Sequence, residues 1–563
     1  MRLKVAVTTV VCLLLSGYAL AGLLGIQAHS DPGEMDTTAY LDAACQIRET
    51  GGILKHIPNC LSGVYREATQ HPGYLLLLSP FAERNVHFFV RAKVASFCVS
   101  LIFAAVFFWV VLRLFGAAEA LVSLCFLVTA ATFVNLSTMV ACESLLAVFF
   151  LLFWFFAAKG FEKGKLWLAA GFFAGAAFLT KSIAILSLPV FFLSSVWLKR
   201  GKVFADKYFW GFFAVFFLVA SPLLLRNVKV YGTPLYSDSS AVLWIDRWHD
   251  YYRADIKENP PTLSSYLKTH SPERVASIFF TGLFSRDPKM LSDGLKPVPF
   301  WEKEIDLAKL QGFYEKTLSW QGIWAALLFL CFLGGIWKAR REPAAFLACT
   351  SLGLFAVFVG WYSKVFPGLP PTRLLYPVIF FVWIYAAAFL AGGVRILSGK
   401  KMAETWIAGA AGMLAVFYVF TLGTHFDWKK LNISKSYAFT NPFVAELFWV
   451  DRHVQAGDKL MAGTVFMSYL FYFQAHLKGE FVQWPQVDSM DELKDYVSKQ
   501  SVKYGVLDLS TVVYDLVPYR PYFDVGPHIG LHSTAPMPAP FQEIFTDPNN
   551  PVLYRVYEFG ASA

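Results

Sequence analysis

Long apolar runs, separated from one another by short polar connections, are the feature that most constrains the fold of this chain. We predict about eleven of them, at 5–28, 87–112, 118–137, 139–158, 166–180, 182–198, 208–225, 319–337, 344–362, 374–394 and 404–423. A helix needs about 20 apolar residues to cross the hydrocarbon core of a bilayer. The sequence therefore predicts a polytopic α-helical membrane protein. The charged fraction of 16% is low for a soluble domain and agrees with this prediction.

The first apolar run permits two interpretations. Arg2 and Lys4 precede it, and the triplet Ala19-x-Ala21 resembles the cleavage site of a secretory signal peptide. The run continues to Ala28, however, which favours an uncleaved first span. In both cases the loop that follows lies on the same side of the membrane.

Basic residues are concentrated in alternate connections between the apolar runs. Four such connections contain Lys163, Lys202, Arg340 and Lys400. Positive residues of this kind mark the cytoplasmic side, and they account for the net charge of +9 without a nucleic-acid partner. An odd number of spans then predicts a multi-pass protein of the inner (plasma) membrane, with a cytoplasmic N terminus and an extracytoplasmic C terminus. The predicted extracytoplasmic segments are the first loop 29–86, the large loop 226–318 and the tail 424–563.

The tail has a different pattern from the rest of the chain. The stretch "DSMDELKDYVSKQ" predicts a helix with Asp488 or Ser489 as its N-cap, followed by a strand in "YGVLDLS". "DKLMAGTVFMSYLFYF" and "NPVLYRVYEF" also predict strands. We therefore divide the chain into a transmembrane domain, 1–423, and a soluble extracytoplasmic domain of α/β or α+β class, 424–563.

A small set of ionisable residues lies at the predicted outer ends of spans, where positive charge is unusual. It comprises Asp36, His71, Arg84, Arg91, Glu143, Lys181, Arg226 and Arg373. Each cation alone could snorkel to lipid head groups, but charges at membrane depth usually face a cavity or a partner. Cations neutralise a lipid phosphate, and a nearby carboxylate can take a proton from an attacking hydroxyl or amine. Together they suit the transfer of a sugar from a polyprenyl phosphate.

Asp36 and Tyr40 stand four residues apart in the first loop. On a helix they would share a face, and "MDTTAYLDAACQI" is typical of an amphipathic helix on the outer membrane surface. Asp36 would lie at its first turn, either as a simple N-cap or as a functional carboxylate; spacing alone leaves both roles open. In the same loop, Cys45 and Cys60 could form a disulfide in an oxidising compartment.

An ordered set of segments resembles the GT-C superfamily of membrane glycosyltransferases, especially bacterial protein O-mannosyltransferase-like and lipid A aminoarabinose transferase-like enzymes. The segments are "MDTTAYLDAACQIRETGG", "HPGYLLLL", "VRAKVASF", "GFFAGAAFLTKSIAILSLPVFF", "LLLRNVKVYGTPLYS" and "PPTRLLYPVIFF". Two departures stand out. Thr37 follows Asp36 where the family often has Asp-Glu, and His71-Pro72 stands where the aminoarabinose transferases have Lys-Pro. Because the paired carboxylates are missing, we assign no metal ligands and no required cofactor, and leave open the need for a divalent ion.

The resemblance implies a hexosyl- or pentosyl-type transferase that moves a sugar from a polyprenyl-phosphate donor to an envelope lipid, glycan or protein on the outer face of the membrane. Asp36 would be the general base, and Tyr40 and Glu143 would position the acceptor or the sugar. The donor phosphate would be bound by Lys181, Arg226, Arg91, Arg373 and His71. Rival interpretations are a lipid-linked sugar transporter or flippase, an oligosaccharide ligase or polymerase, and a non-catalytic scaffold.

Overall fold

The computed structural model describes residues 2–32, 36–246, 260–296, 320–365, 372–424, 431–437, 444–463, 478–485, 487, 489–508, 523–526, 530–533, 535–539, 541–546 and 554–559. Its α-helices as far as the large loop are α1 (Arg2–Ala28), α2 (Thr37–Glu49), α3 (Gly52–Ser62), α4 (Pro72–Leu78), α5 (Val86–Leu114), α6 (Ala117–Thr129), α7 (Ala131–Ser137), α8 (Glu143–Gly160), α9 (Leu166–Thr180), α10 (Ser187–Lys199) and α11 (Lys207–Tyr231). The later ones are α12 (Leu263–Thr269), α13 (Pro272–Thr281), α14 (Asp287–Leu295), α15 (Trp320–Ala339), α16 (Pro343–Tyr362), α17 (Tyr376–Ser398), α18 (Lys400–Thr424), α19 (Val444–His453) and α20 (Met490–Gln500).

Eight helical segments in the described part of the chain are long and apolar enough to cross a membrane. They are Val5–Ala28, Val86–Leu114, Glu143–Gly160, Ser182–Ala205, Lys207–Tyr231, Pro343–Val365, Tyr376–Ser398 and Lys400–Thr424. Shorter apolar helices cover the three remaining predicted runs, at Ala117–Thr129, Leu166–Thr180 and Ile323–Ala339. The polytopic helical fold is therefore confirmed, while the number of helices that cross the membrane stays a prediction.

The predicted run 118–137 is not one helix. α6 ends at Thr129 and α7 begins at Ala131, with extended backbone at Ala130 between them. The backbone N–H of Ala131 donates to the carbonyl of Lys296 at 2.9 Å. The N–H of Ala131 is thus bonded to the large loop, whereas in an uninterrupted helix it would be bonded within the helix. Hydropathy does not reveal a long-range contact of this kind.

The N-terminal helix α1 continues without a break through Ala21, the residue of the cleavage-like triplet. It packs against α18, and Tyr18 and Ala21 are buried. A continuous and packed helix is what the uncleaved-span interpretation requires.

The helices that carry the candidate site residues pack against one another. α8 lies against α9, α9 against α11, and α4 against both α2 and α9. Pro72 begins α4, where its fixed φ suits the first helical position. Gly73 permits the close approach, because a Cβ there would lie only 2.9 Å from the carbonyl oxygen of Leu179. The His-Pro-Gly segment is thereby placed directly on the end of α9.

A small sheet domain follows the membrane helices, which confirms the α/β or α+β class. Its strands are β1 (Lys459–Ala462), β2 (Glu480–Gln483), β3 (Tyr504–Asp508), β4 (Phe523–Gly526), β5 (Gly530–Ser533), β6 (Phe541–Thr546) and β7 (Tyr554–Phe559). Five of them form one sheet in the order β2-β1-β3-β7-β6. β1 is parallel to β2 and β3, whereas β7 is antiparallel to β3 and β6. β4 and β5 pair separately.

The predicted helix of this domain begins as expected. Ser489 is the N-cap of α20 and accepts a hydrogen bond from the backbone N–H of Glu492, and β3 follows. The alternative cap, Asp488, lies outside the described residues. The domain boundary at residue 424 stays a prediction.

Candidate active site

Asp36 occupies the N-cap position of α2, but its carboxylate does not cap the helix. The side chain accepts no hydrogen bond from the first turn. Its Oδ2 atom instead accepts a hydrogen bond from Nη1 of Arg373 at 2.8 Å, across 337 residues of sequence. The interpretation of Asp36 as only a cap is therefore wrong, because the carboxylate points to a cation from a distant segment.

Arg373 lies in a 3-10 turn, Thr372–Leu374, just before α17. Burial disfavours its charge, but the carboxylates of Asp36 and Glu143 outweigh burial and raise its pKa above the ordinary value. The guanidinium is thus a permanent cation. The side chains of Asp36 and Arg373 stay 38% and 26% exposed, so a ligand can reach this ion pair.

A second ion pair stands beside the first. Glu143 begins α8 and is 1% exposed, and its Oε1 atom accepts a hydrogen bond from Nζ of Lys181 at 2.6 Å. Lys181 directly follows α9 and has extended backbone, which ends that helix. The other carboxylate oxygen of Glu143, Oε2, is buried and has no hydrogen-bond partner among the described residues. An unsatisfied buried acceptor is costly, so this oxygen is available to a substrate hydroxyl or amine.

The two ion pairs interact electrostatically. The charge of Arg373 acts on Glu143 and on Lys181, and the charge of Asp36 acts on Glu143. Two acids and two cations therefore form one cluster with no net formal charge. A phosphate entering it would compete with the two acids for the two cations.

Tyr40 joins this cluster from α2, as its spacing from Asp36 predicts. Its side chain is buried, and its hydroxyl donates to Sγ of Cys142 at 3.1 Å, next to Glu143. Burial, then the neighbouring groups Cys142, Glu143 and Asp36, raise the pKa of Tyr40 well above its usual range. The phenol therefore keeps its proton and stays a hydrogen-bond donor.

Arg226, a predicted phosphate ligand, is already held by other groups. It is 2% exposed, and Nη1 donates to the carbonyl of Glu67. Its guanidinium lies over the rings of Tyr65 and Tyr231, at 5.3 and 5.6 Å from their centroids. These contacts join α11 to the first loop.

His71 and Arg91 also have local partners. The Nδ1 atom of His71 lies 2.6 Å from the carbonyl oxygen of Phe178, and burial lowers the pKa of His71 to about 4. The ring is neutral at pH 7, because burial and the positive charges of Arg226 and Lys181 all disfavour its protonation. Arg91 is 40% exposed and pairs with Glu83. The structure thus brings together Asp36, Tyr40, Glu143, Lys181 and Arg373, with His71 as a neutral neighbour and Arg91 apart.

Several residues at or near the site were not predicted. Cys142 contacts Tyr40, and Tyr362, at the end of α16, lies within electrostatic range of Arg373, Lys181 and Asp36. Lys93 is fully buried in α5, where Nζ donates to the carbonyls of Ile26, His29 and Ser436 at 2.7, 2.5 and 2.6 Å. It ties α1 and the first loop to the segment 431–437. A cation satisfied by carbonyls has no sequence pattern that would reveal it.

No cluster of three or more His, Cys, Asp or Glu side chains that could bind a metal occurs among the described residues. Cys45 and Cys60 are both buried free thiols, and Sγ of Cys60 lies 3.4 Å from Nε2 of His56. Their pairing in an oxidising compartment stays a prediction.

Comparison with known proteins gives a family match over part of the chain and solved structures of similar fold. The family model described as dolichyl-phosphate-mannose-protein mannosyltransferase matches residues 87–225, about a quarter of the chain. No curated protein matches the sequence. The crystal structure of ArnT from Cupriavidus metallidurans bound to undecaprenyl phosphate is similar, with a TM-score of 0.53 at 13% identity over 98% of both chains. The archaeal oligosaccharyltransferase AglB from Archaeoglobus fulgidus, in complex with an inhibitory peptide and a dolichol-phosphate, gives a TM-score of 0.52 at 11% identity, over 94% of this chain and 75% of that chain.

Proposed function

We propose that this chain, a multi-pass membrane protein with the fold of the GT-C glycosyltransferases, transfers a hexosyl or pentosyl unit from a polyprenyl-phosphate donor to an envelope acceptor. The observation that carries the proposal is the cluster of two ion pairs, Asp36–Arg373 and Glu143–Lys181. The similar structures support the donor, because the ArnT structure is bound to undecaprenyl phosphate and the AglB structure is in complex with a dolichol-phosphate. The acceptor would be a lipid, a glycan or a protein.

Donor binding would exchange the partners of the two cations. The phosphate takes hydrogen bonds from Arg373 and Lys181, and the guanidinium fork matches two phosphate oxygens. Asp36 and Glu143 lose part of their ionic contacts in this exchange. The Oδ2 atom of Asp36, which Arg373 occupies in the absence of a donor, becomes free to accept a proton.

The chemical step then follows from the charges. Asp36 takes the proton of the acceptor hydroxyl or amine while the oxygen or nitrogen attacks the anomeric carbon. The bond between that carbon and the phosphate oxygen breaks, and the phosphate leaves as an anion that needs no general acid. Arg373 and Lys181 stabilise its growing charge. One displacement inverts the anomeric configuration. Glu143 Oε2 and Tyr40 position the sugar or the acceptor.

The basic connections support an outer-face location for this chemistry. They favour the cytoplasmic side for one set of helix ends, whereas Asp36, Glu143, Lys181 and Arg373 lie at the opposite ends of their spans. We therefore assign the site, the large loop and the tail 424–563 to the extracytoplasmic side of the plasma membrane, with the N terminus in the cytoplasm.

Substitution of Asp36 tests this function. In a strain that lacks the chain and is complemented with Asp36→Asn, mass spectrometry should show accumulated lipid-linked sugar and a transfer rate lower by roughly 10²–10⁴-fold, the usual cost of losing a general base. Because the carboxylate does not cap α2 and both variants lose the ion pair with Arg373, Asp36→Ala should lose activity equally and match the thermal stability of Asp36→Asn.

The matched control is Asp42→Asn. Asp42 lies on the same helix and pairs with Arg84 at 2.7 Å, so its replacement removes a comparable ion pair outside the cluster. Transfer by this variant should stay near the wild-type rate. A fully active Asp36→Asn protein would end the catalytic assignment of Asp36.

A further inference from the structure

Lys364 is a buried cation that the proposed chemistry does not use. It lies in the 3-10 turn Ser363–Val365 after α16 and is 5% exposed. Among the described residues, its Nζ atom donates one hydrogen bond, to the carbonyl of Leu243 at 3.0 Å, although an ammonium has three N–H donors. The charge of Asp246 acts on it, but no carboxylate of the described residues lies within 4 Å of it. A buried ammonium with one hydrogen bond and no ionic contact among these residues is expensive, so this arrangement points to a ligand.

Aromatic side chains shape the surroundings of Lys364. The ring centroids of Tyr266 and Trp361 lie 3.9 and 4.0 Å from Nζ, which stabilises the ammonium through cation–π contacts. The indole Nε1 of Trp361 donates to the same Leu243 carbonyl at 2.9 Å and so fixes the turn. The cation is held in place, but the described residues offer no hydrogen-bond acceptor for its remaining donors.

The carboxylate of Asp246 makes its hydrogen bonds with side chains other than Lys364. Asp246 accepts a hydrogen bond from the hydroxyl of Tyr266 at 2.6 Å and lies 3.0 Å from Nε2 of His270. Burial raises the pKa of Asp246, but the hydrogen bonds from Tyr266 and His270 and the charges of His270 and Lys364 outweigh burial and lower it, so the carboxylate stays ionised. Both of its oxygens have partners other than Lys364. The ammonium thus keeps N–H donors for which the described residues supply no acceptor.

This cation lies beside the candidate active site, across the end of α16. Tyr362, two residues before Lys364, is within electrostatic range of Asp36, Lys181 and Arg373. Lys364 itself contacts Tyr266 of α12, in the large loop. The two cations assigned to the donor phosphate come from the end of α9 and the start of α17, so Lys364 approaches from a different element.

We propose that Lys364, with Tyr266 and Trp361, forms a second anion subsite that holds a phosphate or carboxylate group of the acceptor. This inference rests on the proposed function. An acceptor anchored at Lys364 on the large-loop side would extend past Tyr362 and present its hydroxyl or amine to Asp36. The subsite selects acceptors that carry a negative charge near the attacking group.

Thermal unfolding of the full chain in phosphatidylcholine nanodiscs tests this subsite. Saturating undecaprenyl phosphate fills the donor position, and inorganic phosphate is then titrated as the probe. Phosphate should raise the melting temperature further. Lys364→Met should need at least about tenfold more phosphate for the same shift, because a charge-assisted contact is lost. Lys268→Met, at an exposed position of α12, should respond as the wild type does.

A second variant separates binding from folding. Asp246→Asn removes the neighbouring negative charge and should lower the phosphate requirement by about threefold. If Lys364 has only a structural role, Asp246→Asn should not improve phosphate binding. If Lys364→Met does not fold, Asp246→Asn decides alone, and unchanged or weaker phosphate binding in it overturns the proposal.

The remaining outcomes distinguish the sources of the anion. Equal phosphate responses in the wild type and Lys364→Met would mean an adventitious ion only and overturn the subsite. If Lys364→Met loses its response to undecaprenyl phosphate, the anion belongs to the donor and the acceptor assignment is overturned. Lys181→Ala should lose only the lipid response. A wild type that does not bind undecaprenyl phosphate contradicts the proposed function, while the inorganic phosphate response still tests Lys364.

Discussion

Two groups of basic residues at helix ends look alike in the sequence and differ in what they contact. Arg373 and Lys181 pair with carboxylates that come from distant segments, at 2.8 and 2.6 Å. Arg226 donates to a backbone carbonyl and lies between aromatic rings, and Arg91 pairs with an acid eight residues before it.

The two groups differ in whether a ligand can replace the partner of the cation. A phosphate can exchange with a carboxylate at little cost, because the acid that is released stays near a second cation. A guanidinium fixed by a carbonyl and two rings cannot be recruited without loosening the loop that it supports. A cation at an outer helix end therefore marks a ligand site only where its partner is exchangeable.

Removing a cation of the first group should have the largest effect on donor binding. Arg373→Ala or Lys181→Ala loses a charge-assisted contact of about 1.5–3 kcal/mol, so undecaprenyl phosphate should bind roughly tenfold to a hundredfold more weakly in a direct titration. Arg373→Lys should recover only part of this, because the fork geometry is lost.

Arg395→Ala is the control for that comparison. It breaks an ion pair of similar geometry with the buried Glu119, 2.8 Å long and formed by an arginine of the predicted cytoplasmic face. Donor affinity should not change in this variant. Equal losses in Arg373→Ala and Arg395→Ala would show that the effect is a general loss of structure.

Removing Arg226 should cost stability instead of affinity. Arg226→Ala leaves the Glu67 carbonyl without its donor, and we expect the free energy of unfolding to fall by about 1–3 kcal/mol. The folded fraction should bind undecaprenyl phosphate within about twofold of the wild type. If Arg226→Ala lost as much affinity as Arg373→Ala, Arg226 would also bind the donor phosphate, and the distinction between the two groups of cations would be wrong.

The neutral state of His71 gives a pH dependence of known sign. Burial lowers its pKa to about 4, whereas an unfolded chain has a value of about 6.5. The unfolded state therefore binds the proton more tightly, and stability present above pH 6.5 is lost as the pH falls toward 4. His71→Gln should reduce the fall in stability between pH 6.5 and 5 by about 1.5 kcal/mol.

His56 supplies a similar contribution, because burial also lowers its pKa to about 4. His71→Gln should therefore reduce the slope without abolishing it. An unchanged slope would contradict the neutral assignment of His71 and favour a cationic, phosphate-binding ring.

The smallest effect belongs to Arg91. Its ion pair with Glu83 is 40% and 44% exposed, and exposed pairs contribute about 0–1 kcal/mol. Arg91→Ala should leave both donor affinity and transfer rate unchanged in the titration and mass-spectrometric assays. A loss of donor affinity in this variant would mean that Arg91 binds the donor phosphate although its ion pair with Glu83 is exposed.

Helices and their ends could be predicted from the sequence where local hydropathy or a capping side chain determines them. Lipid surroundings require apolar helices, so the predicted runs coincide with helices, and the side chain of Ser489 caps α20 as its spacing predicts. The break at Ala130 was not predictable, because it depends on a hydrogen bond to Lys296 in the large loop.

The residues of the candidate site could be predicted from the sequence, but the ion pairs that they form could not. Helix-end position selected Asp36, Glu143, Lys181 and Arg373, but no local periodicity tells which acid meets which cation across 337 residues. Lys364 also stands at the end of a predicted span and satisfies the criterion that selected Arg373. Its partners, a carbonyl and two rings, leave no charge pattern in the sequence that would pair it with an acid.

The exchange of phosphate for carboxylate can be seen in a cryo-electron microscopy structure of the full chain with undecaprenyl phosphate. The phosphate should lie within hydrogen-bond distance of both Arg373 and Lys181, with Oδ2 of Asp36 released from Arg373. A phosphate bound at Arg226 or Arg91, with the Asp36–Arg373 and Glu143–Lys181 pairs intact, would contradict it.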